Sequence, residues 1–296
     1  MKQLCIFGLF VLAFSIPAFS QEQRGTIGVG FSAGASNYYG DLDDNFTLVF
    51  TRPGVGIHTL FIVAPRMHVR IGLFHGRITA DDAAGINFSG NKYRNLNFFS
   101  DINEAGLHIL YSLQSRRKSF STRNRLSPYV FGGIAYFHFN PKTNYLGETY
   151  ELREIGTEGQ FLPGNYPQPY SLNQWAIPLG GGFNLKLTKN FDLGAEIGFR
   201  KTFTDYLDDV STYYPDKVQM LATQGSVAVY LSDPSNDPEF PSGRNSFSKR
   251  GNSDFKDGYV YTNLHLTYYF TTSLFRSYKP KNLYKEDSCK GLMKAQ

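Results

Sequence analysis

The chain has 296 residues, with 30 Lys and Arg against 25 Asp and Glu for a formal charge of +5, and it is 41% hydrophobic and 16% aromatic. This composition excludes a disordered chain, and the lack of any run of roughly 18 apolar residues past the amino-terminal segment argues against a mature membrane-spanning helix. A transmembrane β-barrel escapes that test, because its strands alternate lipid-facing and lumen-facing residues and average to a mildly polar chain.

Met1 and Lys2 precede an apolar stretch from Leu4 to Ile16, and Ala18-Phe19-Ser20 stands before Gln21. A short basic start, an apolar core and a small-x-small end read as a secretory signal peptide over residues 1–20. Cys5 leaves with it, Cys289 stays alone, and no disulfide forms within the chain. An exported, cysteine-poor chain of this kind suits a bacterial outer membrane better than a small disulfide-stapled domain.

The first predicted strand, Thr26 to Tyr39, puts Ile27, Val29, Phe31, Ala33 and Ala35 on one face and Gly28, Gly30, Ser32, Gly34 and Ser36 on the other. A period of two fits a strand between lipid and a crowded lumen and does not fit a helix. A second strand runs from about Gly54 to Val63. After the tight turn Ala64-Pro65-Arg66 comes a third, Met67 to Ile78, in which Val69, Ile71 and Leu73 alternate with His68, Arg70 and Gly72. The fourth, about Ile102 to Leu113, sets Leu107, Ile109, Tyr111 and Leu113 against Glu104, Gly106, His108 and Ser112. The fifth, Pro128 to Phe139, is apolar on both faces and leaves its lipid side open. In the sixth, about Trp175 to Leu187, Ile177, Leu179, Phe183, Leu185 and Leu187 oppose Gly180, Gly182, Asn184 and Lys186. Strand seven follows the turn Thr188-Lys189-Asn190 and places Phe191, Leu193, Ala195, Ile197, Phe199 and Phe203 against Asp192, Glu196 and Arg200. The eighth, Tyr259 to Phe270, directs Val260, Leu264, Leu266, Tyr268 and Phe270 outward.

These lengths are near the roughly 9 to 11 residues that a tilted strand needs to cross a bilayer. Backbone groups cannot stay unpaired in hydrocarbon, so such strands should close on one another. The connections after strands two and six are short turns, that after strand four is intermediate, and those after strands one, three, five and seven are longer, which with a periplasmic N-terminus matches periplasmic turns and extracellular loops. The expectation is an all-β, eight-stranded antiparallel transmembrane β-barrel of outer-membrane type with long extracellular loops over residues 21–270. A basic periplasmic tail over 271–296 follows. A soluble antiparallel sandwich competes, but its strands are shorter and rarely so regular on one face. The seventh connection, about Tyr206 to Asp257, has room for another hairpin around Gly225 to Ser232, which leaves ten strands as an alternative.

Strand parity places Arg70, Lys186 and Arg200 in the lumen with Glu104, Asp192 and Glu196, three charges of each sign. An eight-stranded interior is only wide enough for side chains, so these charges read as a hydrogen-bonded plug and not a conduction path. Glu196 and Arg200 share a face but stand about 13 Å apart along an extended strand, so each should pair with other strands. The six histidines are dispersed without HExxH or HxxxH spacing, and Gly28-x-Gly30 with Gly34 misses the dinucleotide fingerprint. Asp41-Asp43-Asp44 and Asp205-Asp208-Asp209 lack an EF-hand pattern and read as solvated loop charge, with divalent ions bridging lipid phosphates as the alternative. No catalytic, cofactor-binding or metal-binding residue is nominated. The chain reads as a non-enzyme without cofactor, and export removes nucleic acid as a partner.

Arg116, Arg117, Lys118, Arg123 and Arg125 cluster after the fourth strand, and the tail adds Arg276, Lys279, Lys281, Lys285, Lys290 and Lys294. On the periplasmic side they form either a phospholipid-touching surface or a docking face for a periplasmic partner. The fifth connection, about Asn140 to Asn173, carries Glu148, Glu151, Glu154 and Glu158 and is long for a passive linker. Lys217 to Ala222 has weak helical spacing that suits packing on the loop floor.

Three stretches carry a resemblance: Asn37-Tyr38-Tyr39-Gly40-Asp41-Leu42, Gly90-Asn91-Lys92-Tyr93-Arg94-Asn95-Leu96, and Phe199 through Arg200-Lys201-Thr202-Phe203-Thr204-Asp205-Tyr206-Leu207-Asp208-Asp209-Val210 to Ser211. Together the chain resembles the PorG-like outer-membrane barrel family of Bacteroidetes. What that resemblance implies is an eight-stranded barrel of the type IX protein secretion machinery, tied in some bacteria to gliding motility and contacting a periplasmic ring of PorK and PorN. Both termini would lie in the periplasm. It brings no catalytic residues. The alternative is a small barrel of the OmpX or OmpA kind, acting through its extracellular loops in adhesion or envelope integrity.

Overall fold

The computed structural model describes residues 25–44, 47–84, 93–114, 123–235 and 244–272. The expected signal peptide, Arg116, Arg117, Lys118 and the basic tail from 273 onward lie outside the described residues. No helix among the described residues is long and apolar enough to cross a membrane, which says nothing of strands.

Eight long strands form the wall: β1 (Gly25–Tyr39), β2 (Arg52–Ile62), β3 (Met67–Asp81), β4 (Asn97–Ser112), β5 (Leu126–His138), β8 (Asn173–Lys186), β9 (Phe191–Thr202) and β10 (Gly258–Thr272). Each pairs antiparallel with its neighbour, and the circle closes where β1 meets β10, from Gly25 opposite Thr272 to Tyr39 opposite Gly258. The result is a closed eight-stranded antiparallel barrel with no free edge in its wall. At 15 and 16 residues, β1 and β4 amount to roughly 50 Å of strand. That exceeds what a tilted crossing of about 30 Å of hydrocarbon requires, so their ends stand clear of it.

Burial follows parity. Along β4, Leu107, Ile109 and Tyr111 are exposed while Glu104, His108 and Leu110 are buried. An outside of exposed Leu, Ile, Val and Phe on every wall strand belongs in lipid, because water would leave a large apolar surface unpaid. Tyr136 against Trp175, with ring centroids 5.0 Å apart, and Phe191 against Tyr268, at 4.9 Å, mark opposite ends of this band as aromatic girdles do. The ambiguous β5 resolves itself: Tyr129, Phe131, Ala135 and Phe137 point inward, and Val130, Ile134 and Tyr136 outward. Aromatic rings are used inside because they fill the lumen above and below its charges.

The connections after β2 and β8, four residues each, and the one after β4 lie at the end that holds Gly25 and Thr272. The described residues of the other four gather at the opposite end and fold into a cap. Residues 139–172 add a hairpin, β6 (Lys142–Tyr145) and β7 (Glu148–Glu151), turned by Leu146 and Gly147 at φ 52° and 84°, then one turn of helix, α1 (Leu152–Ile155). The hairpin extends β4 through Phe99 opposite Lys142 and is no part of the wall. Gly225 to Ser232 forms no hairpin. It is helix α3 (Ser226–Ser232), following α2 (Lys217–Gln224), so the ten-strand alternative falls. The side chain of Asp216 caps α2 by accepting from Val218 N and Gln219 N, and Gly225 at φ 87° separates the two helices.

Candidate functional site: a filled lumen and its cap

The lumen is crossed by two charge pairs. Arg70 donates to both oxygens of Glu196, at 2.6 and 3.0 Å, and Tyr129 Oη donates to the same carboxylate at 2.6 Å. Arg200 donates to Glu104 at 3.2 and 3.5 Å, and Tyr259 Oη donates to Glu104 at 2.6 Å. Glu196 and Arg200 thus each pair across the barrel and not with one another. Both pairs are buried, with the Arg70 guanidinium 4.9 Å over the Phe131 ring. A desolvated charge is tolerated only when paired and hydrogen-bonded, which these are. A cavity of about 40 Å³ remains beside Arg70, Glu104 and His265, room for about one water.

Asp192 belongs to a different arrangement from the one its register suggests. Its carboxylate is held by Arg123, at 2.6 Å, and Arg123 also donates to Lys189 O at 2.9 Å and lies over the Tyr269 ring at 5.2 Å. Arg123 is therefore no free periplasmic contact: its side chain is 1% exposed and ties the turn before β5 to the β8–β9 turn. Folding back over the lower mouth gives the buried Asp192 carboxylate its charged hydrogen-bond partner. Lys186 sits half-buried at that rim opposite Asp192, and Arg125 is exposed. Of the histidines, His68, His108 and His265 are buried in the lumen, whereas His75 and His138 point outward beside Asn103 and Asn173.

Above the charges, Tyr38, Phe98, Phe137, Phe139, Leu207 and Tyr259 form an apolar stopper. Over it lies a polar layer that joins the quoted motif stretches. Tyr38 Oη is 2.7 Å from Asp208 Oδ2 and 2.9 Å from Asp257 Oδ1, while Val210 N donates to Asp208 and Leu207 N to Asp257. Arg94 makes a two-pronged pair with Asp82, at 2.7 and 2.8 Å, and donates to the carbonyls of Arg250 and Asp41. Glu158 accepts from Ser211 N, Thr212 N and Thr212 Oγ1, at 2.8, 2.9 and 2.6 Å, and pairs with Arg250 at 3.2 Å. Asp209 accepts from Tyr170 at 2.7 Å and from Thr157.

The acidic runs are thus not solvated loop charge. Asp43, Asp205, Asp208 and Asp209 are buried, and Asp44 alone of the two runs is exposed. Asp43 is held by Thr47 of its own loop, and Asp208 and Asp209 by a backbone amide, phenols, a threonine hydroxyl and the Arg250 guanidinium, whereas burial of Asp205 rests on no such partner. Burial pushes Asp209 up to about 6 and Asp205 up to about 7. Burial and then the charge of Asp257 raise Asp208, and burial and then the charge of Asp205 raise Asp257, both well above the usual carboxylate range. Among the described residues no three His, Cys, Asp or Glu side chains are arranged to hold a metal ion. Of the cap residues, Arg94, Tyr38 and the Asp205–Ser211 stretch lay in quoted motifs; Arg250, Glu158 and Asp257 carried no signal that marks their roles.

A sequence family described as "Domain of unknown function (DUF6089)" matches residues 5–228. No curated protein matches the chain. Among solved structures it is similar to the Neisserial surface protein A, NspA, at 8% identity and a TM-score of 0.41, covering 82% of this chain and 97% of that one. It is also similar to Ail, the attachment invasion locus protein of Yersinia pestis, at 8% identity and 0.39, covering 84% and 100%. A third is the outer membrane protein OprG from Pseudomonas aeruginosa, at 11% identity and 0.38, covering 85% and 98%.

Proposed function

The chain belongs to the DUF6089 family, and from the geometry of its lumen and cap we propose that it is a non-enzymatic, sealed outer-membrane anchor. The observation that carries this is the pair of buried bridges, Arg70 with Glu196 and Arg200 with Glu104, beneath an apolar stopper. A conduit needs mobile water along its axis, and here bonded side chains occupy it. The lipid-facing band fits the outer membrane, where export would deliver the chain, with the short turns and both described ends in the periplasm. The resemblance to PorG-like barrels supports the finer reading: a component of the type IX secretion machinery whose periplasmic face contacts a PorK and PorN ring. Of the residues expected there, the exposed Arg125 is the described candidate.

Deleting the gene and following export of type IX cargo tests the finer reading, and normal export overturns it. Reconstitution into planar bilayers tests the anchor itself. No steady conductance is expected, and a stable open channel overturns the sealed lumen.

The folded cap favours a second reading, adhesion through the long loops in the manner of an OmpX-like barrel. Removing Asn144 to Thr149, the hairpin tip, would then weaken attachment and leave export intact.

A further inference from the structure

The outer rim of the wall, at the cap end, carries its cations in two ways. On β3 and the β6–β7 hairpin they are neutralised: Arg77 is bound to Asp101 and Lys142 to Glu151, each at 2.6 Å. Directly across the barrel, where β9 and β10 reach the cap, they are not. Lys201 shares the outward face of β9 with Ile197 and Phe199, in register with Gly258 and, beyond it, Tyr39. Its ammonium donates to Lys256 O at 3.0 Å and lies 5.1 Å over the Phe255 ring, so it is tied to the backbone of a second lysine. Lys256 donates to Ser253 O at 2.7 Å. Neither lysine forms an ion pair among the described residues. Asp254 is exposed and binds neither, and Lys256 favours ionisation of the buried Asp205 without a bond to it. An ammonium has three N–H donors, so each keeps two.

The surface around these ammonium groups is aromatic. Tyr39 meets Phe199 and Phe255 edge-on, with ring centroids 6.1 and 5.6 Å away. Phe199 lies across β10 where Gly258 has no side chain, since a Cβ there would stand 2.6 Å from Phe199 Cζ. Towards the middle of the wall the exposed Ile197 and Leu264 continue the lipid-facing band without a break. A soluble anion would use the lysines and gain nothing from this apolar surface, and a neutral lipid would use the surface and gain nothing from the lysines. An anionic headgroup on acyl chains uses both, with phosphate oxygens accepting from two point charges at the edge of the hydrocarbon. We propose that Lys201 and Lys256 hold the phosphate of an outer-leaflet lipid whose acyl chains lie along the β9–β10 face. The assignment rests on the outer-membrane reading given above.

The test uses the full mature barrel in detergent micelles at physiological ionic strength, titrated with phosphorylated lipid A, with the same lipid after removal of its phosphates, and with inorganic phosphate. Saturable binding of the phosphorylated lipid is expected, weakened about fivefold by Lys201→Gln and by Lys256→Gln. Lys142→Gln, on the neutralised side, should leave it unchanged. Equal binding of the dephosphorylated lipid, binding that both variants retain, or an equal loss in Lys142→Gln overturns the proposal. Displacement by inorganic phosphate at the lipid's own concentration also overturns it, since the site would then take a soluble anion. Each variant is first checked for a closed barrel by its boiling-dependent gel mobility. The same mobility assay in vesicles of phosphate-free lipid separates the two readings. A native shift without any phosphate preference overturns this assignment alone, whereas failure to fold into any bilayer overturns the anchor and the assignment together.

Discussion

Tyr38 and Asp208 are 170 residues apart in sequence, yet the phenol of the first lies 2.7 Å from the carboxylate of the second. The same oxygen stands 2.9 Å from Asp257, and one phenolic proton cannot serve both acids. A proton held on one carboxyl supplies the second hydrogen bond, so the trio is a single unit joining the end of β1 to the last two segments of the cap. Tyr38→Phe leaves the ring in place but strands two buried acids, a loss of about 1–3 kcal/mol. Hydrogen exchange at the Leu207 and Val210 amides should speed up while exchange in the wall strands stays unchanged. Exchange that rises equally in both would show that the cap is no separate unit.

The cap should also depend on pH, and the sign follows from Asp205 and Asp209. Burial raises both, to about 7 and about 6. An acid whose folded value lies above its unfolded value of about 3.9 gives stability that is complete at low pH and lost as pH climbs through the folded value. Between about pH 4 and 7 the cap should therefore loosen with rising pH, since Asp205 must ionise near Asp41 and Glu158 with only Lys256 and the Ser211 hydroxyl in its favour. Loop-amide protection, corrected for intrinsic exchange rates, should fall over that interval. Asp205→Asn should flatten the dependence; a wild-type cap that tightens as pH rises contradicts this account.

In the lumen, removing one partner should cost more than removing both. Glu196→Leu leaves the Arg70 guanidinium buried without its anion, and such breaks cost about 3–5 kcal/mol. The double variant Arg70→Met with Glu196→Leu removes both charges and should recover most of that loss. Urea titrations of the barrel folded in vesicles would check the ordering. If the double variant is the less stable, the pair contributes net stability and is not merely tolerated.

The wall was legible in the sequence because every strand meets two unlike environments. In β4 the contrast of Leu107, Ile109 and Tyr111 with Glu104 and His108 suffices to orient the strand. It fails at β5, where the lumen takes Tyr129, Phe131 and Phe137, residues that lipid would accept equally well. The length of the seventh connection left a hairpin open around Gly225 to Ser232, where Val227, Val229 and Leu231 stand at alternate positions; the Asp216 cap and Gly225 are the local signs of the helices that form instead. The cap was least legible. Arg94 donates to the carbonyl of Arg250, 156 residues away, and no local pattern encodes a contact between two loops. Its acids therefore looked solvated, and Arg123 looked free until Asp192 stood beneath it.

Closure of the barrel depends on how near β1 approaches β10, and Gly34 sets that distance. A Cβ on Gly34 would stand 2.0 Å from Thr262 O and 2.6 Å from Asn263 Cα, both backbone atoms that cannot step aside. Gly72, on β3, is the natural control. There a Cβ meets nothing nearer than 3.4 Å, ordinary contact with Ile57 O. Gly34→Val should thus block the seam that joins the first strand to the last, leaving two unpaired edges that hydrocarbon does not tolerate. The variant should refold poorly and run on gels at the same position boiled or unboiled. Gly72→Ala should keep the heat-dependent shift of the native barrel. A Gly34→Val chain that closes as efficiently as the native one would mean the seam can widen, against the register seen from Gly25 to Tyr39.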